Sequence, residues 1–209
     1  QPVVPTPPTL DDRILKEKQD PIRLNLGAGA TKISGFTPID RKWGSEVYPL
    51  EYEDETVDEM RASHILEHFH FSDSAGEPSA KTVLRNWVDK LKVGGRIRIS
   101  VPNFDRIVEM RGNDPKWPFY LMGGQTDPND VHKSIWTEPL LEKLMEECSL
   151  SHIRQWESDN TDTASHPCSI NLEGVKVQKN RIAPPNQKDM RVQISALMSV
   201  PRYGANASW

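Results

Sequence analysis

Two glycines, Gly27 and Gly29, follow the alternating run Ile22-Arg23-Leu24-Asn25-Leu26, and an acid, Asp40, closes the next short apolar stretch. Glycine at the carboxyl end of a strand lets the backbone turn sharply and come close to a ligand. A carboxylate one strand away accepts two hydrogen bonds, which suits the vicinal hydroxyls of a ribose. The dinucleotide fingerprint is not met. Its third small residue would fall at Lys32, and its acid, expected about 20 residues on, comes sooner as Asp40. This disfavours a nicotinamide cofactor and leaves a nucleoside without a pyrophosphate. The plainer alternative is a tight turn followed by a cap aspartate ahead of Arg41.

A second constellation is His64-Ile65-Leu66-Glu67-His68. It fits H-x-x-E-H, in which two imidazoles on one helical face bind zinc beside a glutamate base. That reading needs a long helix and a third ligand downstream, whereas His64 follows a strand candidate. No metal is therefore expected, and Glu67 and His68 read equally well as structural or as part of the site. His132 is a candidate general base, because a neutral imidazole near pH 7 can take a proton from a hydroxyl or amine. The stretch Trp117-Pro118-Phe119-Tyr120 either walls an acceptor pocket or belongs to the core.

The elements that must position these groups alternate between helix and strand. Residues 22–26, 36–40 and 57–63 read as strands. Residues 80–92 read as a helix with Val83, Leu84, Trp87, Val88 and Leu91 on one face, stopped by Gly94-Gly95. Arg96-Ile97-Arg98-Ile99-Ser100-Val101 alternates as a strand. A later helix starts at Thr137, with Pro139 in its first turn and Leu140, Leu141, Leu144 and Met145 turned inward. Residues 152–157 and 169–176 read as a closing strand pair. This alternation is the signature of an α/β domain. The predicted organisation is a proline-rich tail and short helix over 1–20, a domain over 21–178, and a linker with a strand-like stretch near 190–200 over 179–209.

Taken in order, Leu24-Asn25-Leu26-Gly27-Ala28-Gly29, Gly35-Phe36 and Ile39-Asp40 resemble the first cofactor motif and ribose acid of class I S-adenosylmethionine-dependent methyltransferases. Glu46-Val47-Tyr48-Pro49-Leu50 resembles the segment flanking the adenine, with Glu46 in place of the commoner Asp. Ser63 to Phe69 resembles the signature after the fourth strand, and Leu91 to Ile97 the entry to the fifth, with Val93 in place of the commoner Pro. The blocks span about residues 22 to 102, and the type 11-like branch found beside bacterial and phage sugar transferases looks most similar. The resemblance implies a Rossmann-like fold with a seven-stranded, mostly parallel sheet, helices on both faces, and a last antiparallel strand at 169–176. It implies S-adenosylmethionine as cofactor and S-adenosylhomocysteine as product. Leu26, Gly27, Ala28, Gly29, Asp40, Arg41, Glu46, Val47, Ser63, His64 and Leu66 are the implied cofactor residues, with His64 and Leu66 at the cofactor mouth.

Composition narrows the partners. With 36% apolar and 27% charged residues the chain can fold, and a formal net charge of -4 offers no broad positive field for nucleic acid. A small molecule or saccharide is the expected acceptor. The resemblance adds a homodimer or a glycosyltransferase as expected partner, and a non-catalytic module docked on such a transferase is the alternative function. Cys148 and Cys168 match no zinc spacing and are too few for a disulfide framework, which favours the cytoplasm. Neither a membrane span nor a signal peptide is expected.

Overall fold

In the computed structural model, residues 20–178 other than 74, 75 and 160 are described. The helix expected over 11–18 and the strand expected near 190–200 lie outside the described residues. Strands β1 (Arg23–Leu26), β2 (Thr37–Ile39), β3 (Val57–Ser63), β4 (Leu91–Pro102), β5 (Leu150–Gln155) and β6 (Ser169–Lys176) form one sheet in the order β2-β1-β3-β4-β6-β5. The first four are parallel, and β6 runs antiparallel between β4 and β5. This is a Rossmann-like sheet of six described strands, not the expected seven. Residues 47–49, within the segment expected to flank the adenine, are bends between β2 and β3. No described helix is long and apolar enough to cross a membrane.

Where the strands pair in regular register, their side chains sort into two unlike faces. Leu24, Met60 and Ile97 lie across from one another, as do Leu26, Ala62, Ile99 and Leu172. Onto this apolar face pack helices α1 (Ala80–Lys90), through Val83, Leu84, Trp87 and Val88, and α4 (Glu138–Glu147), through Leu141 and Met145. A Cβ on Gly174 would lie 3.0 Å from the Met145 terminal carbon, so α4 sits directly on β6. The opposite face carries Arg23, Glu59, Arg61, Arg96, Arg98 and Glu173, joined by ion pairs such as Arg98 to Glu173 at 3.2 Å and Arg98 to Glu59 at 3.4 Å. Helices on both faces were expected; among the described residues the segment that carries Asp159 and Asp162, both bound to Arg61, covers the charged face at its carboxyl end. A sheet face buried under a helix would need apolar residues there.

One helix boundary also moved. Helix α1 ends at Lys90 rather than Lys92, because Leu91 is already extended and pairs with Val57. Leu140 is exposed, while Leu141 and Met145 carry the inward face of α4. Helices α2 (Phe104–Met110) and α3 (Trp117–Met122) pack on each other after β4, with Ile107, Tyr120 and Cys168 forming a small second core. Of the aromatic stretch, Tyr120 is core and Phe119 is exposed.

Candidate functional site

Strands β1 and β2 end side by side, Leu26 opposite Ile39. The Gly27 amide donates to the Ile39 carbonyl at 2.8 Å, and the chain then turns with φ of +66° at Gly27 and +54° at Gly29. These are left-handed conformations that glycine adopts without steric cost. The Gly29 amide donates to Asp40 Oδ2 at 2.9 Å, and the Lys42 amide to Asp40 Oδ1 at 2.9 Å. Asp40 thereby caps the single 3₁₀ turn Arg41–Trp43 and ties it to the glycine bend. Each carboxylate oxygen accepts one of these bonds, and a carboxylate offers about four lone-pair sites, so two ribose hydroxyls can still be accepted.

The two glycines answer different needs. A Cβ on Gly27 would lie 2.6 Å from the Ile65 Cβ, whereas a Cβ on Gly29 would meet nothing within 4 Å. Gly27 makes room for the 64–68 segment, and Gly29 faces open space. Trp43 was not anticipated: its indole donates to the Gly29 carbonyl at 2.9 Å, and the Lys32 ammonium lies 4.8 Å from its ring centroid. A half-exposed aromatic thus stands at the rim of a backbone cradle beside a carboxylate, which fits an adenosyl group.

The other expected cofactor residues divide. Arg41 and Glu46 form an exposed pair, with Arg41 Nε 2.9 and 3.0 Å from the two Glu46 oxygens. Leu26 and Ala28 are buried, so only their backbone can face a ligand. Val47 packs on the core, and its carbonyl accepts from the Trp87 indole at 2.7 Å. Ser63 lies on the charged face and donates to Asp162 at 2.7 Å. Leu66 is a correction: it is fully buried in the core and lines no mouth. His64, at φ +52°, is also turned away, with Nε2 2.8 Å from the Ser169 hydroxyl and Nδ1 3.2 Å from Glu67 Oε1.

Beside this cradle the fold gathers Glu67, His68 and His132. Glu67 and His68 belong to a single 3₁₀ turn, Leu66–His68, and His132 comes from the loop after α3. The Lys133 and Ser134 amides donate to the Glu67 carbonyl at 2.8 and 3.1 Å, which fixes that loop against the turn. Glu67 is fully buried, and neither carboxylate oxygen has an in-line hydrogen-bond donor. His64 Nδ1 is close enough for an ion pair but is misaligned for a hydrogen bond. Burial pushes the Glu67 carboxyl up, but the close His64 imidazole above all, with His68 and His132 after it, outweighs burial and holds the group below its usual range. Burial in turn pushes the His132 imidazole down. Elsewhere, a cavity of about 770 Å³ opens near the amino ends of the strands, walled by Arg23, Asp58, Glu59, Arg96 and Glu173. Its charges are paired with one another, and it lies away from the glycine bend.

No protein-family model and no curated protein matches the sequence. Solved structures do share the fold. A SAM-dependent methyltransferase from Archaeoglobus fulgidus superposes with a TM-score of 0.50 at 16% identity, over 80% of this chain and 91% of the other. The 1,6-didemethyltoxoflavin-N1-methyltransferase of Burkholderia thailandensis, solved with bound 1,6-didemethyltoxoflavin and S-adenosylhomocysteine, gives a TM-score of 0.47 at 18% identity, over 78% and 74% of the two chains. A SAM-dependent methyltransferase from Thermotoga maritima gives 0.47 at 13%, over 78% and 86%. At these identities the likeness is one of fold.

Proposed function

We propose that this chain is an S-adenosylmethionine-dependent methyltransferase acting on a small-molecule or saccharide acceptor. The observation that carries the reading is the cradle at the carboxyl ends of β1 and β2. There an open Gly29 and the adjacent Asp40, hydrogen-bonded at 2.9 Å, form a backbone bend beside a carboxylate with spare acceptor sites. Ligands of open α/β sheets bind at such strand ends.

In this reading S-adenosylmethionine supplies an activated methyl group. The protein's share is position and proton removal. Gly27 and Gly29 admit the ligand to the backbone, Asp40 accepts the ribose hydroxyls, Trp43 borders the base, and Arg41, Glu46 and Val47 form the rim of the 41–47 segment. Holding donor and acceptor in line can supply up to about 7–11 kcal/mol of the barrier reduction. His132 takes the acceptor's proton. Ile65, wedged on Gly27, joins the cradle to the segment that faces His132, which supports placing the acceptor between them.

Isothermal titration with S-adenosylhomocysteine tests the reading. Asp40→Asn keeps an oxygen for the Lys42 cap but removes the charge and half the acceptor capacity. Its affinity should fall about tenfold, the worth of roughly one charged hydrogen bond. No binding to the parent protein, or equal binding by Asp40→Asn, would sink the assignment.

A further inference from the structure

We infer that Glu67, His68 and His132 form a binding site for one divalent transition-metal ion, placed to take an oxygen of the methyl acceptor. The ligand atoms of these three side chains all lie within 4.8 Å of one another, and His132 Nε2 is already 3.8 Å from Glu67 Oε1. The set differs from the one the H-x-x-E-H spacing suggested. His64 points its Nε2 at Ser169, and the second imidazole comes instead from a loop far along the chain.

Three features point to a cation. First, Glu67 is a fully buried carboxylate with no in-line donor on either oxygen, although His64 Nδ1 lies 3.2 Å from Oε1. Its lone pairs are left for a ligand, and a metal ion would accept them and balance its charge. Second, His68 is oriented from behind. Its Nδ1 lies 3.2 Å from the Val131 carbonyl, which can only accept, so that contact is made by an Nδ1 proton and leaves Nε2 as the ligating nitrogen. A backbone carbonyl holding the distal nitrogen is the usual support of a metal-binding histidine. Third, the two rings meet edge to face at 5.0 Å with one nitrogen of each, together with a Glu67 oxygen, inside a 4.8 Å span.

Zinc bonds of about 2.0–2.2 Å set ligand atoms about 3.0–3.5 Å apart, so the cluster closes by roughly 1 Å on an ion. Two histidines and one carboxylate leave coordination positions open, as in catalytic zinc and non-haem iron(II) sites. His68 and His132 are partly exposed while Glu67 is not, which leaves the open side toward solvent and the acceptor. The ion would share the acceptor oxygen's lone pair, its proton leaving to water at lower pH than it otherwise would. His132 would then act as a ligand and not as a free base. This last role rests on the methyltransferase reading, but the metal site does not.

The tag-free full chain, stripped with chelator and dialysed, is titrated with Co²⁺ and followed by its visible absorption, with Zn²⁺ as competitor. One equivalent should bind, giving ligand-field bands that Zn²⁺ abolishes. His68→Ala and His132→Ala should each weaken Co²⁺ binding at least 100-fold, while His64→Ala keeps the stoichiometry. Far-UV circular dichroism shows that each variant is folded, and the parent titration needs no variant at all. Absence of stoichiometric uptake by the parent overturns the site and leaves His132 as a free base. Loss with His64→Ala but not with His132→Ala overturns the ligand set. Titration of S-adenosylhomocysteine into the chelated protein separates the two ideas. Nucleoside binding without metal uptake sinks only the ion, and metal uptake without nucleoside binding sinks only the cofactor.

Discussion

Gly27 and Gly29 look interchangeable in the sequence, yet the fold asks different things of them. Gly27→Ala would put a methyl group 2.6 Å from the Ile65 Cβ at φ +66°. It should destabilise the protein by about 2–3 kcal/mol through overpacking and backbone strain. Gly29→Ala meets no neighbour and should cost only about 1 kcal/mol, the penalty of a left-handed alanine. Its larger effect should be on nucleoside affinity, because the new methyl group stands in the open space before the bend. Urea unfolding and calorimetric titration of the two variants would separate these effects. Gly29→Ala binding S-adenosylhomocysteine as tightly as the parent would make Gly29 a turn residue only. The glycines and Asp40 were legible because turn geometry and carboxylate chemistry are local. Trp43 was not, since nothing in the spacing shows that its indole reaches back to the Gly29 carbonyl. Leu66 and Ser63 misled for the same reason: a motif gives order along the chain, but not which way a side chain turns.

At the scale of elements, strands were read closely where alternation was clean. The fourth and sixth were found within a few residues, and β6 was expected to be antiparallel. The strand after α4 was shifted by two residues, because His152 at φ +52° breaks its alternation where the pairing register slips between Ser151 and Arg154. The role of loop 156–165 was invisible, because its partners are about 100 residues away. Arg61 is buried under this loop, bidentate to Asp159 at 3.0 and 2.9 Å, with Nε 2.7 Å from Asp162 and the Trp156 ring 5.0 Å away. Hydrogen bonding from Arg61 holds the Asp159 carboxyl far below its usual range. Arg61→Met removes the cation and leaves the Asp162 charge buried, a change that costs about 3–5 kcal/mol in comparable sites. The loop should then be cut rapidly in limited proteolysis. Parent-like stability together with parent-like resistance would show that the loop is held by something other than Arg61.

Over the whole molecule, the sheet is a boundary between an apolar layer under α1 and α4 and a layer of paired charges. The alternation Arg96-Ile97-Arg98-Ile99 already carried this message, since strands buried on both faces read as nearly continuous apolar runs. Glu173 is the hub of the charged layer: it is buried and accepts from Arg154 at 2.6 Å and Arg98 at 3.2 Å, with Arg96 at 3.7 Å. Burial pushes its carboxyl up, but the hydrogen bonds from Arg154 and Arg98 win and leave its pKa lowered. A carboxylate with a depressed folded pKa contributes its full stability above the unfolded value, about 4.3, and loses that contribution as pH falls through the folded value. Glu173→Gln should therefore cost about 2 kcal/mol at pH 7, where it strips charge-assisted bonds from two arginines. The gap between variant and parent should narrow as the medium is acidified below about pH 4, because the parent then loses the same charge. Urea unfolding of both proteins from pH 7 down to pH 3 measures this directly. A gap that stayed constant across that range would mean that Glu173 stabilises the sheet by its shape and not by its charge.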